Sequence, residues 1–166
     1  FHPKAFLKYI RLAVVLYLVS LALVFFHKPV IALVLLLVVL SLFVSQFMFY
    51  WQVFDPFFPK AKGLNVYGSI EPEKDVRQQI ILCGHHDAAY VFHYFNISPK
   101  VYPLLIAAGI APFVVSLIFV LIMLIFSINP PWMFIVMAVM SIGVLPLWFF
   151  TTDAVSPAAG DNMIAV

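Results

Sequence analysis

The sequence predicts a membrane α-helical protein with about four transmembrane helices, set as two hairpins around a short polar α/β segment. Of its 166 residues, 65% are hydrophobic and only 10% are charged, and the mean hydropathy is +1.11. A soluble domain is about half apolar and about a quarter charged. This chain therefore has more apolar surface than a soluble core of its size could bury. Four apolar runs are long enough to cross a hydrocarbon core, and the polar residues concentrate between the second and the third.

The first predicted hairpin occupies residues 1–51. Its first span runs from about Tyr9 to Phe26, with Lys8 and Arg11 at the edge, where long cationic side chains reach the interface. A His-Lys-Pro turn leads into the second span, from about Val30 to Trp51. Three consecutive aromatic residues end this span, which is typical of an aromatic belt at a membrane surface.

The second predicted hairpin occupies residues 101–150. Its spans run from about Tyr102 to Ile128 and from about Trp132 to Phe150, and an Asn-Pro-Pro turn joins them. Pro103 and Pro112 are expected to kink the third span. None of the four spans carries an ionisable residue near its middle, which argues against an ion-coupled transporter, the least favoured of the alternatives.

The remaining residues, 52–100 and 151–166, are predicted to form the α/β part of the protein. The run Leu64–Ile70 suits one strand, and the mostly apolar run Gln79–Cys83 suits a buried strand that stops at Gly84. The single cysteine allows no internal disulfide and leaves the redox compartment open.

The distribution of Lys and Arg predicts the side of the membrane on which these polar segments lie. An even number of spans returns both segments to the side of the N-terminus, and that side carries all Lys and Arg except Lys28. Such an excess predicts the cytoplasmic side. The Asn-Ile-Ser sequon at Asn96 would require the opposite side. The cations are scattered and form no basic helix face, so no nucleic-acid partner is expected.

Two short motifs could carry chemistry. His85, His86 and Asp87 directly follow the predicted buried strand, where α/β sheets place ligands, and neutral imidazole is a common zinc ligand. Asp161 and Asn162 lie in a turn of small residues, where a carboxylate could bind a cation. Taken singly, each motif also fits a plain polar loop, with histidines bonded to backbone or an Asp that caps a helix.

Together, and with the Asn-Val-Tyr-Gly strand before them, the motifs resemble the co-catalytic zinc aminopeptidase family, whose fold also occurs in glutamate carboxypeptidases, the transferrin receptor ectodomain and glutaminyl cyclases. The resemblance implies an α/β metallopeptidase domain that is incomplete here and is split by the second hairpin. It makes His85 a terminal zinc ligand, Asp87 the catalytic-site residue that supports it, and Asp161 the ligand that bridges two zinc ions. Asn162 and His86 would flank the metals.

The function that this resemblance implies is that of a membrane-bound zinc aminopeptidase acting on peptides with a free N-terminus. The chain starts at Phe1 and stops at Val166 without a polar tail, so we expect a longer parent protein in which the catalytic Glu and three further ligands follow. Residues 163–165, Met-Ile-Ala, depart from the usual Ser-Gly pair. An inactive peptidase-like module for binding or assembly therefore stays open. The expected partners are the lipid bilayer and a peptide, and the sequence leaves open whether the chain forms a homo-oligomer.

Overall fold

A computed structural model describes residues 2, 5–64, 66–72, 78–81 and 90–155. Within these residues, four helical segments are long and apolar enough to cross a membrane: Lys8–Phe25, Pro29–Gln46, Tyr102–Ile125 and Pro131–Phe149. The third is 24 residues long, which corresponds to about 36 Å of helix against a hydrocarbon core of about 30 Å. The prediction of about four helices that are long and apolar enough to cross a membrane is confirmed.

The first two spans form an antiparallel helix pair. Helix α1 comprises Ala5–Phe25, and helix α2 comprises Pro29–Phe43, with a proline in its first turn, where the missing N–H costs no hydrogen bond. The second span then continues as a π-helical turn, Val44–Met48. Just before and within that turn, the hydroxyls of Ser41 and Ser45 donate to carbonyls three residues back, a bond that often bends helices.

Short elements lead from the second span to the third. A 3₁₀ turn at Asp55–Phe57 follows the membrane exit. Further along, strand β1 comprises Tyr90–Phe92, and it runs directly into the short helix α3, His93–Ile97. Helix α4, Tyr102–Ile125, then forms the third span.

The fourth span differs from the single helix predicted from about Trp132 to Phe150. Helix α5 covers only Pro131–Met140, and the span continues as two 3₁₀ turns, Ser141–Gly143 and Leu145–Phe149, before strand β2, Thr151–Val155. Pro146 explains the change, because it lacks an N–H and its ring would collide with the carbonyl four residues earlier in an α-helix.

The four spans pack as a ring in which α1 and α4 each contact α2 and the fourth span. Tyr17 of α1 is fully buried at the centre and links three of the four spans. Its hydroxyl donates to the Met137 carbonyl at 3.2 Å and lies 3.1 Å from Ser116 Oγ. Its ring lies 4.8 Å from that of Phe113. The other buried polar residue nearby, Ser20, bonds only within α1, to the Tyr17 carbonyl, so the Tyr17 hydroxyl bonds fix the register of the spans against one another.

The outer surface of the bundle is apolar on every span. Val15, Leu37, Ile118 and Ile135, one from each span, are 42%, 46%, 48% and 58% exposed. Water would disfavour such a continuous apolar surface, whereas lipid chains would not. The bundle therefore fits a multi-pass membrane protein in contact with a bilayer.

The two ends of the bundle differ. At one end, here named the turn end, the hairpin turns meet, and His27 Nδ1 lies 2.5 Å from Asn129 Nδ2. At the other end, here named the strand end, β1 and β2 pair, and the 3₁₀ turn at Asp55–Phe57 lies against α1.

The strands predicted at Leu64–Ile70 and Gln79–Cys83 are not found where the structure describes those runs. Residues 64, 66–70 and 79–81 adopt no regular secondary structure, and Val66, Tyr67 and Ile70 are at least 85% exposed. A strand gains its backbone hydrogen bonds from a neighbouring strand, and within the described part only β1 and β2 supply such a neighbour to each other. The described residues of this segment thus form no α/β domain.

Candidate functional site

The residues predicted to bind or support zinc lie outside the described part of the chain. This applies to His85, His86 and Asp87 and also to Asp161 and Asn162. The structure does describe the chain on the other side of each motif, from residue 90 onward and up to residue 155. These described residues form the frame to which both motifs are attached.

That frame is a two-stranded antiparallel sheet. Tyr90 pairs with Val155 and Phe92 with Thr151, with an irregular step between the two pairs. Thr152 adds a side-chain bond, because its hydroxyl donates to the backbone carbonyl of the opposite strand at 3.1 Å. The sheet thus joins the segment that enters the second hairpin to the segment that leaves it.

An aromatic cluster packs where this sheet meets the membrane helices. Phe92 and Phe150 have ring centroids 5.3 Å apart, and Tyr102 stacks on Phe150 at 5.8 Å. Phe95 of α3 meets Tyr102 edge-on at 5.4 Å. A sheet of only two strands is marginally stable by itself, and each such pair contributes about 0.5–1.5 kcal/mol beyond its buried area, so the cluster helps to anchor the sheet.

Helix α3 is tied to the fourth span by Tyr94. The Tyr94 hydroxyl donates to the carbonyl of Pro146 at 2.9 Å, and burial raises the pKa of this phenol above its usual value. The backbone N–H of His93 donates to the Phe150 carbonyl at 3.1 Å. This bond keeps the first residue of α3 beside the chain that leads into β2.

The described residues contain no group of three or more His, Cys, Asp or Glu side chains that could hold a metal. His93, the histidine nearest the sheet in this part, is exposed and makes a ring contact with Tyr94 at 5.2 Å. His93 is therefore a suitable control position, because it lies beside the sheet and belongs to no ligand cluster among the described residues.

Comparison with known proteins gives no relative. No family model, no curated protein and no solved structure matches the chain. The resemblance to zinc aminopeptidases therefore depends on the residue pattern alone and stays a prediction.

One buried polar contact at the strand end was missed by sequence reasoning. Asp55 is only 7% exposed, and its carboxylate accepts a hydrogen bond from the hydroxyl of Tyr9. Phe58 packs edge-on against the Tyr9 ring at 5.1 Å. The available signal was an acidic residue directly before a proline at the membrane exit, but nothing local indicates a partner 46 residues away. The contact fixes the exit of the second span against α1.

Proposed function

We propose that the chain is the membrane-anchored front part of a zinc-dependent aminopeptidase that hydrolyses peptides with a free N-terminus. The observation that supports this proposal is the pairing of Tyr90 with Val155. In the sequence, the second hairpin separates the two candidate metal motifs. The sheet instead holds their points of attachment beside each other.

The connection on each side is short. Asp87 precedes Tyr90 by three residues, and Asp161 follows Val155 by six. In an antiparallel pair, the chain that enters one strand and the chain that leaves the other lie at the same end of the sheet. Both motifs are therefore tethered to that one end, as a shared metal site requires.

The chemistry of the donor set fits zinc. Imidazole nitrogen and carboxylate oxygen are regular zinc ligands, so His85 and Asp161 would hold the metal. Asp87 would accept a hydrogen bond from the His85 ring and fix its orientation. When bound, zinc supplies an activated water and a polarised substrate carbonyl. The proposal requires three further ligands and the general base from chain that follows Val166.

The test is the zinc content of the full-length protein, measured by elemental mass spectrometry, together with hydrolysis of an aminoacyl substrate. We expect His85→Ala and Asp161→Ala to lose both zinc and hydrolysis, because each removes a ligand. His93→Ala, which alters an exposed histidine beside the same sheet, should keep both. Zinc content unchanged by His85→Ala and Asp161→Ala would refute the ligand assignment. Zinc that is bound without hydrolysis in the unaltered protein would favour the inactive binding module.

We further propose that the strand end faces the cytoplasm. The exposed cations Lys60, Lys62 and Lys100 belong to that end, whereas Lys28 lies at the turn end. In a Cys83→Ser background, a cysteine placed at residue 28 should react with a membrane-impermeant reagent applied outside intact cells. A cysteine at residue 62 should not. Equal labelling of both would contradict the hairpin arrangement, and the reverse pattern would invert the proposed side.

A further inference from the structure

The exposed face of α1 carries two cationic side chains near the strand end and apolar side chains further along the helix. Leu12, Val15 and Val19 are 40%, 42% and 44% exposed and follow one another at helical spacing. Lys8 and Arg11 continue the same exposed face toward the strand end. Positive charge at the membrane surface complements an anionic phospholipid headgroup, and the apolar side chains directly below it complement the acyl chains.

Both cations are held in place by aromatic rings. Lys8 Nζ lies 5.7 Å from the centroid of the Phe58 ring, and Arg11 Cζ lies 5.6 Å from that of Trp148. Arg11 Nε also donates to the Trp148 carbonyl at 3.3 Å. A guanidinium has five N–H donors, so most of those on Arg11 stay available for an anion. These contacts orient the two cations before any ligand arrives.

Neither cation forms an ion pair within the described part of the chain. Asp55, on the 3₁₀ turn that lies against α1, instead accepts a hydrogen bond from Tyr9 and is buried. Residues three apart on a helix are neighbours, and two like charges at that spacing destabilise it. An anion bound to both would remove that repulsion.

We propose that Lys8 and Arg11 bind the phosphate of a phospholipid whose headgroup carries net negative charge. One of its acyl chains lies along Leu12, Val15 and Val19. Phosphate is a preferred partner of both side chains, and Arg in particular can engage two phosphate oxygens at once. The site is independent of the proposed zinc chemistry.

The experiment uses the full-length protein in phosphatidylcholine vesicles that contain a small fraction of phospholipid probe with a photoreactive acyl chain. The probe carries either a phosphatidylglycerol or a phosphatidylcholine headgroup. Peptide mapping after illumination measures how much probe attaches to residues 12–19. A cation near a membrane surface contributes about fivefold to the association of an anionic lipid, so the phosphatidylglycerol probe should be preferred by about fivefold or more.

Substitutions decide whether this preference belongs to the site. Lys8→Gln with Arg11→Gln should abolish it, whereas Lys28→Gln at the turn end should leave it unchanged. Arg11→Lys keeps the charge but removes the paired N–H donors, so its preference should be weaker than in the unaltered protein and stronger than in the double substitution. Equal attachment of both probes in the unaltered protein would overturn the proposal, as would a preference that survives the double substitution. Loss of the preference on addition of inorganic phosphate would identify a free-phosphate site and would also overturn it.

Discussion

Gly143 lies at a close approach of the fourth span to α4, so its substitution tests the packing of the second hairpin. A Cβ atom at this position would lie 2.5 Å from the carbonyl oxygen of Ala108 and 3.3 Å from its carbonyl carbon. Pro112 has no N–H, so this carbonyl lacks the donor that an α-helix would otherwise provide four residues later. The freed carbonyl points at Gly143, where only a residue without a side chain leaves room for it.

The expected cost follows from these distances. A 2.5 Å approach is below any normal Cβ contact, and the opposing atom is helix backbone rather than the end of a flexible side chain. Gly143→Ala must therefore move the fourth span away from α4, and overpacking of this kind costs about 1–3 kcal/mol. Replacing Gly in a helical turn returns about 0.5–1 kcal/mol of backbone entropy. The difference is about 0–2.5 kcal/mol, and we expect a net loss of about 1 kcal/mol in the free energy of unfolding.

The assay is equilibrium unfolding in mixed detergent micelles, followed by circular dichroism. Gly68→Ala is the matched control, because a Cβ there meets no atom within 4 Å. Gly109→Ala is an intermediate case: the three atoms nearest to its Cβ would all belong to the Leu147 side chain, at 2.6–2.9 Å, and a side chain can shift more cheaply than backbone. A Gly143→Ala protein as stable as the unaltered one, or less destabilised than Gly109→Ala, would refute the close contact.

Three further predictions concern the bundle core, a hairpin turn and the strand end. Tyr17→Phe removes the bonds to Ser116 and the Met137 carbonyl, and should lower the free energy of unfolding by about 1–2 kcal/mol in the same assay. Ser127 has a φ of 53°, so Ser127→Gly should raise the free energy of unfolding by about 0.5–1 kcal/mol, because it relieves left-handed backbone strain that exceeds the entropy cost of Gly, and an unchanged value would contradict this backbone conformation. Because burial raises the pKa of Tyr94, its neutral form stabilises the fold fully below the usual tyrosine pKa of 10.0 and loses that effect as the pH rises through the folded-state value. The Tyr94→Phe protein should therefore lose less stability between neutral and alkaline pH, as followed by thermal unfolding.

The positions of the spans could be predicted because each depends on a local property, a long apolar run bounded by turn residues. The change to 3₁₀ geometry in the fourth span was not predicted, although Pro146 is visible in the sequence. The span was predicted from the length of its apolar run, without regard to the α-helical hydrogen bond that a proline removes. The contact of Asp55 with Tyr9 depends on how α1 packs against the exit of the second span. No periodicity within either segment indicates that packing.

The sheet at the strand end was missed for a related reason. Tyr90–Phe92 is three residues long, too short for an alternating pattern, and its partner strand lies beyond two membrane spans. Pairing at such a distance is set by the hairpin between the strands, which returns the chain to its starting side. For the candidate metal site, the sequence indicates residue types through a resemblance. The structure contributes the shared attachment point of the two motifs.

A disulfide across this sheet tests that attachment directly. Tyr90 and Val155 are Cα partners in the antiparallel pair, and Cα atoms in such pairs lie about 4.5–5.5 Å apart, within the range that a disulfide spans. In a Cys83→Ser background, Tyr90→Cys with Val155→Cys should therefore cross-link under mild oxidation. Tyr90→Cys with Ala154→Cys is the control, because successive strand residues point to opposite faces.

The same cross-link connects the fold to the proposed chemistry. If both metal motifs extend from one end of the sheet, a bond that fixes the sheet should leave the zinc content of the full-length protein unchanged. Equal cross-linking in the Tyr90/Ala154 control would show that the strands are not held in register. Efficient cross-linking at Tyr90 and Val155 with loss of zinc would show that the strands must separate for the metal to bind, so the sheet could not be the frame of the site. Only a cross-link that forms selectively and preserves zinc is consistent with both the strand pairing and the shared site.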